Sequence, residues 1–464
     1  MVWIIGGLAF IFVLGAAVVL HEFGHFAVAK LLKIRVETFS VGFGPRIWGK
    51  RIGTTDYRLS AIPLGGYVKL GGDESNAPIE GEGETDIPVN EQFNLRPKWQ
   101  KIAVAIAGPV MNILTALAIP TAAALMFGIP QTPLPIVSAI KPGGMAEAAG
   151  LKSGDKIVSF NGIENPSWDR VRGDSLLSPD KPLPVVVERA GQKVTLTIKP
   201  VAETEGTDTV GVLDFMPDYG NVPIVVASVI PGAPAEQAGL QKEDRFLSIG
   251  GNPVHSSEQV RAYIREHKTE PINITVERGG QQKQLSARVG KLPDGGEGLG
   301  FVPVEDVPRI RVGPVRAISY AVDTNLEILR LTGKALGQLF AGERSARNTL
   351  SGPIGIARAA STSANELGWS GVFQMLGFLS LSLGVFNLLP IPVLDGGAIF
   401  LLLVEAVLGV VGIKLSLNLR ERIQQVGFVM LLLLMGFVIT NDLIKEASIR
   451  FGWGADKPAA VKTK

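Results

Sequence analysis

Cysteine is absent from all 464 residues. Its absence excludes a disulfide framework, a thiolate zinc site and a cysteine nucleophile. Histidine is scarce as well, with four copies, so any imidazole chemistry rests on very few positions. No large excess of one charge appears either: 45 Lys and Arg against 43 Asp and Glu leave a net +2. Nothing in that balance provides the basic footprint that a nucleic acid requires. The N-terminus lacks the basic n-region and small-residue cleavage site of a secretory signal, so a retained segment is expected there.

What the chain has in plenty is apolar sequence, 46% of all residues, with a mean hydropathy of +0.27. It is gathered into runs. Val2–Leu20 carries no charge and apolar character resumes over Phe26–Ala29; Ile102 to about Phe127, Gly371–Leu389 and about Val426–Ile439 follow. Each approaches the ~20 residues that cross hydrocarbon, and four spans are expected. Basic residues crowd the first connection, from Lys30, Lys33 and Arg35 to Lys98 and Lys101, and recur at Lys414, Arg420 and Arg422 between the last two runs. Basic connections stay cytoplasmic. Both termini and the region from about 130 to 368 are therefore expected outside. The run Gly396–Ile413, apolar but for Glu405, reads as a buried half-helix at the cytoplasmic face, with a fifth span as the alternative.

The outer region repeats itself. Pro142–Asp155 aligns with Pro231–Asp244, 89 residues on, and the same offset relates Glu188-Arg189 to Glu277-Arg278 and Val210-Gly211-Val212 to Leu299-Gly300-Phe301. Two duplicated domains are expected, over 130–218 and 219–307. Their short β-branched strands and single Pro-Gly turns resemble the PDZ domain in its permuted bacterial order. That resemblance implies carboxylate-binding loops at Val210, Gly211 and Val212 and at Leu299, Gly300 and Phe301, beside which a peptide C-terminus adds as a strand. Steric spacers with unused grooves are the other reading.

Two histidines fall in His21-Glu22-Phe23-Gly24-His25. At i and i+4 of a helix they share one face. Such a pair can grip one zinc ion, with the intervening Glu in reach of its water. Three ionisable side chains in an apolar span are costly without a partner. Catalytic zinc usually takes three protein ligands. His255 and His267 lie in the second repeat, across the membrane. Asp395 lies in Asn387-Leu-Leu-Pro390-Ile-Pro392-Val-Leu-Asp395-Gly396-Gly397, where two prolines break the third span and two glycines admit close backbone approach. Counted at ~1.5 Å per residue, His21 and Asp395 reach the same cytoplasmic third of the bilayer.

Taken together, the HExxH segment, the N-x-x-P-x-P-x-x-D-G segment and the paired repeats resemble the site-2 protease family of intramembrane zinc metalloproteases. Val41-Gly-Phe-Gly-Pro45, Gly65-Gly-Tyr-Val-Lys69, Gly108-Pro-Val-Met-Asn112 and Ser351-Gly-Pro-Ile-Gly355 match it as well. The resemblance implies one Zn2+ per chain on His21, His25 and Asp395, with Glu22 as catalytic base. It implies substrate contacts from Asn387, Pro390 and Pro392 and from Gly65, Gly66, Tyr67 and Val68, the last four on a membrane-dipping β region whose edge captures an unwound substrate. The substrates it implies are single-span membrane proteins, such as an anti-sigma factor already cut outside or a signal-peptide remnant, with the outer domains as a gate. The expected fold is a polytopic α-helical membrane protein of a bacterial inner membrane. It has four transmembrane helices, a membrane-associated β-hairpin region over 35–100, two tandem periplasmic PDZ domains of α+β type and a helical connector over 308–369. A loop over 414–425 and a polar tail over 445–464 flank the last span, 426–444. A metal transporter on the same three residues would need a ladder of polar groups, and only Asn112 and Asn387 offer themselves. A non-catalytic scaffold leaves the buried His-Glu-His unexplained.

Overall fold

The computed structural model describes residues 2–73, 87–205, 208–220, 222–254, 256–292, 297–410 and 416–451. His255 and the tail beyond 451 lie outside the described residues. The helices longer than ten residues are α1 (Val2–Leu31), α2 (Lys98–Phe127), α3 (Pro314–Phe340), α4 (Pro353–Asn387), α5 (Asp395–Val410) and α6 (Leu417–Phe451). Windows in four of them, Gly6–Leu31, Lys98–Phe127, Leu367–Asn387 and Arg422–Ala447, are long and apolar enough to cross a membrane. The 16 described residues of α5 cover about 24 Å.

Two compact units divide the chain. The first comprises Met1–Met126, Val312–Leu329 and Gly342–Lys464. Its apolar core sets Ala9, Val13 and Ala17 of α1 against Val372 and Leu376 of α4. Small residues let those backbones approach, as in helix pairs packed in lipid.

α4 and α6 both begin earlier than their apolar runs. The connector expected over 308–369 contains the start of α4, and the loop expected over 414–425 is helical from Leu417. The segment 445–451, expected as polar tail, continues α6. The cause at α4 is tertiary. Asp442 of α6 accepts hydrogen bonds from the backbone N–H of Gly352, Ile354 and Gly355, each at 3.0 Å. A carboxylate from another helix thus caps the N-terminal donors that no local side chain satisfies. A Cβ on Gly352 would stand 2.9 Å from the Asp442 carboxylate, which is why glycine precedes Pro353. Gly368, at φ 60, kinks the helix and separates this entry turn from the apolar run.

Also in this unit, β1 (Val36–Ile52) and β2 (Thr55–Leu70) pair antiparallel, and β2 folds back along its partner. Thr38 pairs with both Asp56 and Lys69, and Ser40 with both Arg58 and Tyr67. Residues 66–70 therefore form an outer strand whose second edge is unpaired among the described strands.

Phe127–Arg311 and Arg330–Ala341 make the second unit. It holds two six-stranded sheets, each with five strands in line and a sixth short one, Ile163–Glu164 or Asn252–Pro253, paired beside Lys156–Phe160 or Arg245–Ile249. In one, the order is Phe215–Asp218, Leu134–Ile140, Lys156–Phe160, Leu183–Arg189 and Gln192–Ile198; in the other, Gln281–Ala287, Ile272–Arg278, Arg245–Ile249, Ile224–Val229 and Phe301–Glu305. Each has a buried Asp held by an Arg, Asp155 with Arg189 and Asp244 with Arg278. The duplication read from the sequence thus has a physical counterpart, with one correction. Phe215 pairs with Ile140 as Phe301 pairs with Val229, and Lys141 N–H donates to Asp214 O as Ile230 N–H does to Gly300 O, both at 2.8 Å. The counterpart of Leu299-Gly300-Phe301 is therefore Leu213-Asp214-Phe215, three residues beyond the segment that the constant offset selects. Val210, Gly211 and Val212 lie instead in a separate hairpin, Asp208–Val212 against Val201–Glu205. That hairpin takes up the extra residues. At the true counterpart, the Asp214 carboxylate accepts from Ala146 N–H at 3.0 Å.

Another carboxylate ties the last turns of α3 to the first sheet domain. Asp174 is 1% exposed and bonds Arg170, Arg330 and Lys334 at 3.1, 2.8 and 3.0 Å. Burial raises its pKa, but these three cations outweigh burial and hold it at about 2.

Candidate metal centre

Two elements of the first unit meet at one point. His21 and His25 share a face of α1, and Asp395 opens α5. His21 Nε2 lies 3.0 Å from Asp395 Oδ2 and 3.2 Å from His25 Nε2, and His25 Nε2 lies 3.6 Å from Asp395 Oδ1. A tetrahedral zinc ion with bonds of ~2.0–2.1 Å sets its donor atoms about 3.3 Å apart. Two imidazoles and a carboxylate at these spacings fit such an ion and leave its fourth position to water or substrate. They are the one cluster of this kind among the described residues.

Close backbone approach makes the convergence possible. A Cβ on Gly24 would overlap the Ala107 carbonyl of α2, and one on Gly108 would overlap the His25 ring and stand 2.8 Å from His21 Cε1. α1 and α2 therefore cross at glycine, directly beside the imidazoles, with Gly108 against His25 Nε2. After α4 the chain coils through Leu388–Leu394, and Val393 takes φ +82, a left-handed conformation costly for a β-branched residue. Cβ atoms on Gly396 and Gly397 would overlap the carbonyls of Leu389 and Ile391. This tight coil brings Asp395 round so that its carboxylate meets the histidines.

Around the three residues, Val104 O accepts from His25 Nδ1 at 2.7 Å, which leaves Nε2 as the free donor atom. Asn112 lies against His21 Nδ1 and Asn387 Nδ2 against His21 Nε2, both at 3.3 Å. A cavity of about 740 Å³ opens beside them, and Glu22, Asn387, Tyr67 and Val68 line it. The Val68 backbone reaches the Glu22 carboxylate.

Gly65, Gly66, Pro390 and Pro392 are not among the residues that line this cavity. Gly65 and Gly66 pack behind the wall, where a Cβ on either would stand 2.5 Å from the Phe43 ring or from Ser40 O. Pro390 and Pro392 give way on the wall to Val393 and Leu394, and Pro392 packs on Gly427 of α6. Gln424, Gln425 and Phe428 of α6 also line the cavity. Sequence reading missed them, although a Gln pair at the head of an apolar run was a visible signal. The second repeat's loop, Leu299-Gly300-Phe301, belongs to the other unit.

Comparison with known proteins agrees with this site chemistry. The model of Peptidase family M50 matches residues 9–434. The chain belongs to peptidase family M50. The regulator of sigma-E protease RseP of Escherichia coli K12 is 32% identical over 94% of this chain and 97% of that protein. Protease RseP of Yersinia pestis is 34% identical over 94% of this chain and 97% of its own length. A putative zinc metalloprotease of Vibrio cholerae is 32% identical over 94% and 98%. As an M50 member, the chain is an intramembrane zinc metalloprotease of the site-2 type. Transporter and scaffold are set aside on that ground.

Proposed function

We propose that His21, His25 and Asp395 hold one zinc ion and that Glu22 is the catalytic base in cleavage of membrane segments of single-span proteins. One observation carries the reading: donor atoms from two distant elements approach to tetrahedral spacing beside a carboxylate and a strand, residues 66–70, that has no second neighbouring strand among the described residues. Zinc held there lowers the pKa of water toward neutrality and polarises the scissile carbonyl. Glu22 takes a proton from the attacking water and delivers it to the leaving nitrogen. Asn387 donates from Nδ2 to the carbonyl oxygen as charge develops on it. The unwound substrate lies along residues 66–70 and replaces its lost helical hydrogen bonds there.

The basic connections favour a bacterial inner membrane location, with the site toward the cytoplasm and both termini periplasmic. Membrane proteins of the anti-sigma type, already cut outside, fit the site as substrates; two of the relatives above carry regulation of sigma-E or RseP in their names. We read the two sheet domains as periplasmic PDZ domains, with a peptide C-terminus as partner at Leu299-Gly300-Phe301 and a role in limiting access. Deleting residues 133–306 is then expected to extend cleavage to substrates with intact outer domains; an unchanged substrate range would count against the gate.

Incubating the purified protein with single-span substrates, with and without a zinc chelator, tests the central reading. Cleavage is expected to stop on chelation and to return on adding zinc. Cleavage that persists without zinc would refute it.

A further inference from the structure

Asn112 sits on α2, with no exposed surface. Its Nδ2 lies 3.3 Å from His21 Nδ1, and its buried Oδ1 has no hydrogen-bond partner. It is not among the residues that line the cavity. The orientation of its amide conflicts with the chemistry of its neighbour. An imidazole that binds metal through Nε2 carries its proton on Nδ1, and an amide N–H facing that proton sets donor against donor. Carboxamide oxygen and nitrogen occupy interchangeable positions. Nothing holds Oδ1 on its present side, so a half-turn of the amide breaks no other bond of that oxygen. It brings Oδ1 to His21 Nδ1–H.

His25 supplies the parallel, because its Nδ1 donates to Val104 O on the same helix at 2.7 Å. Each imidazole then hands its far proton to an acceptor on α2, backbone in one case and side chain in the other. Such outer partners fix the tautomer and ring orientation of a ligand and raise its basicity. We propose that Asn112 is a positioning residue that accepts from His21 Nδ1–H through Oδ1 and so presents the Nε2 lone pair to zinc. This rests on His21 being a ligand.

The test is zinc affinity, measured on the full-length protein by competition with a chromophoric chelator. Asn112→Leu removes the acceptor and is expected to weaken zinc binding by ~10–100-fold. Asn112→Asp can only accept, and is expected to keep affinity within a few-fold of the parent. A packing role predicts no such rescue. If Asp weakens zinc as much as Leu does, or if Leu leaves affinity unchanged, the proposal fails. Should the Leu variant not fold, Asn112→Ala makes the same comparison with Asp. His21→Ala separates the two levels: if its zinc affinity matches the parent, the ligand assignment fails, whatever the Asn112 variants do.

Discussion

Glu22→Gln is expected to abolish cleavage of a membrane substrate while leaving zinc bound. The substitution keeps the shape of the side chain and its contact with the Val68 backbone. It leaves His21, His25 and Asp395 untouched, so the metal stays. What it removes is the capacity to take and return a proton. A positioned base contributes about 10²- to 10⁴-fold to rate, and glutamine has none of that basicity. Turnover and zinc content should be measured on the same preparation. Loss of turnover at full zinc content identifies the base. Wild-type turnover in this variant would remove Glu22 from the mechanism.

An effect of similar size is expected from a single methyl group at Gly108. The added Cβ would overlap the His25 ring, with His25 Cε1 at 2.7 Å and His21 Cε1 at 2.8 Å. The His25 ring is held by its Nδ1 bond to Val104 O, so making room for the added methyl moves the donor atoms off their spacing. Alanine is intrinsically better than glycine inside a helix by about 1 kcal/mol, so α2 itself is not weakened. The damage falls on the spacing of the donor atoms. Misplacement by ~1 Å near a reacting centre costs on the order of 10²-fold. Gly108→Ala should therefore lose zinc and at least that much activity, while the protein still folds. Gly333→Ala, where the Cβ meets open space, serves as the control and should behave as the parent. Full zinc occupancy and full activity in Gly108→Ala would show that α1 and α2 do not meet as tightly as described.

Much of the architecture was legible beforehand. Four apolar runs became four helices long enough to span, and the repeated blocks became two sheets of matching strand order. Both signals are local or self-comparing. Hydropathy over ~20 residues reports solvent directly, and a duplicated segment carries its own template. The repeat was misread only at its last strand, where the hairpin that both copies carry is longer in the first and so shifts the offset. Helix starts were misread for a different reason. α4 begins at Pro353 because Asp442, far along the chain, supplies the cap. No window around residue 353 contains that carboxylate.

The divide at the site is the same. By itself the sequence determined that His21 and His25 face one way with Glu22 between them, because helical period alone places i and i+4 together. It also determined that the chain breaks at Pro390 and Pro392 ahead of Asp395, because proline cannot continue the ladder. Only the tertiary structure decided that Asp395 meets the imidazoles, that Gly24 and Gly108 permit the crossing beside them, and that Asn112 stands against the far side of His21. A repeating pattern specifies which side chains share a face of one element. It carries no information on which faces of two elements come into contact, and a metal centre assembled from separate segments is made of such contacts.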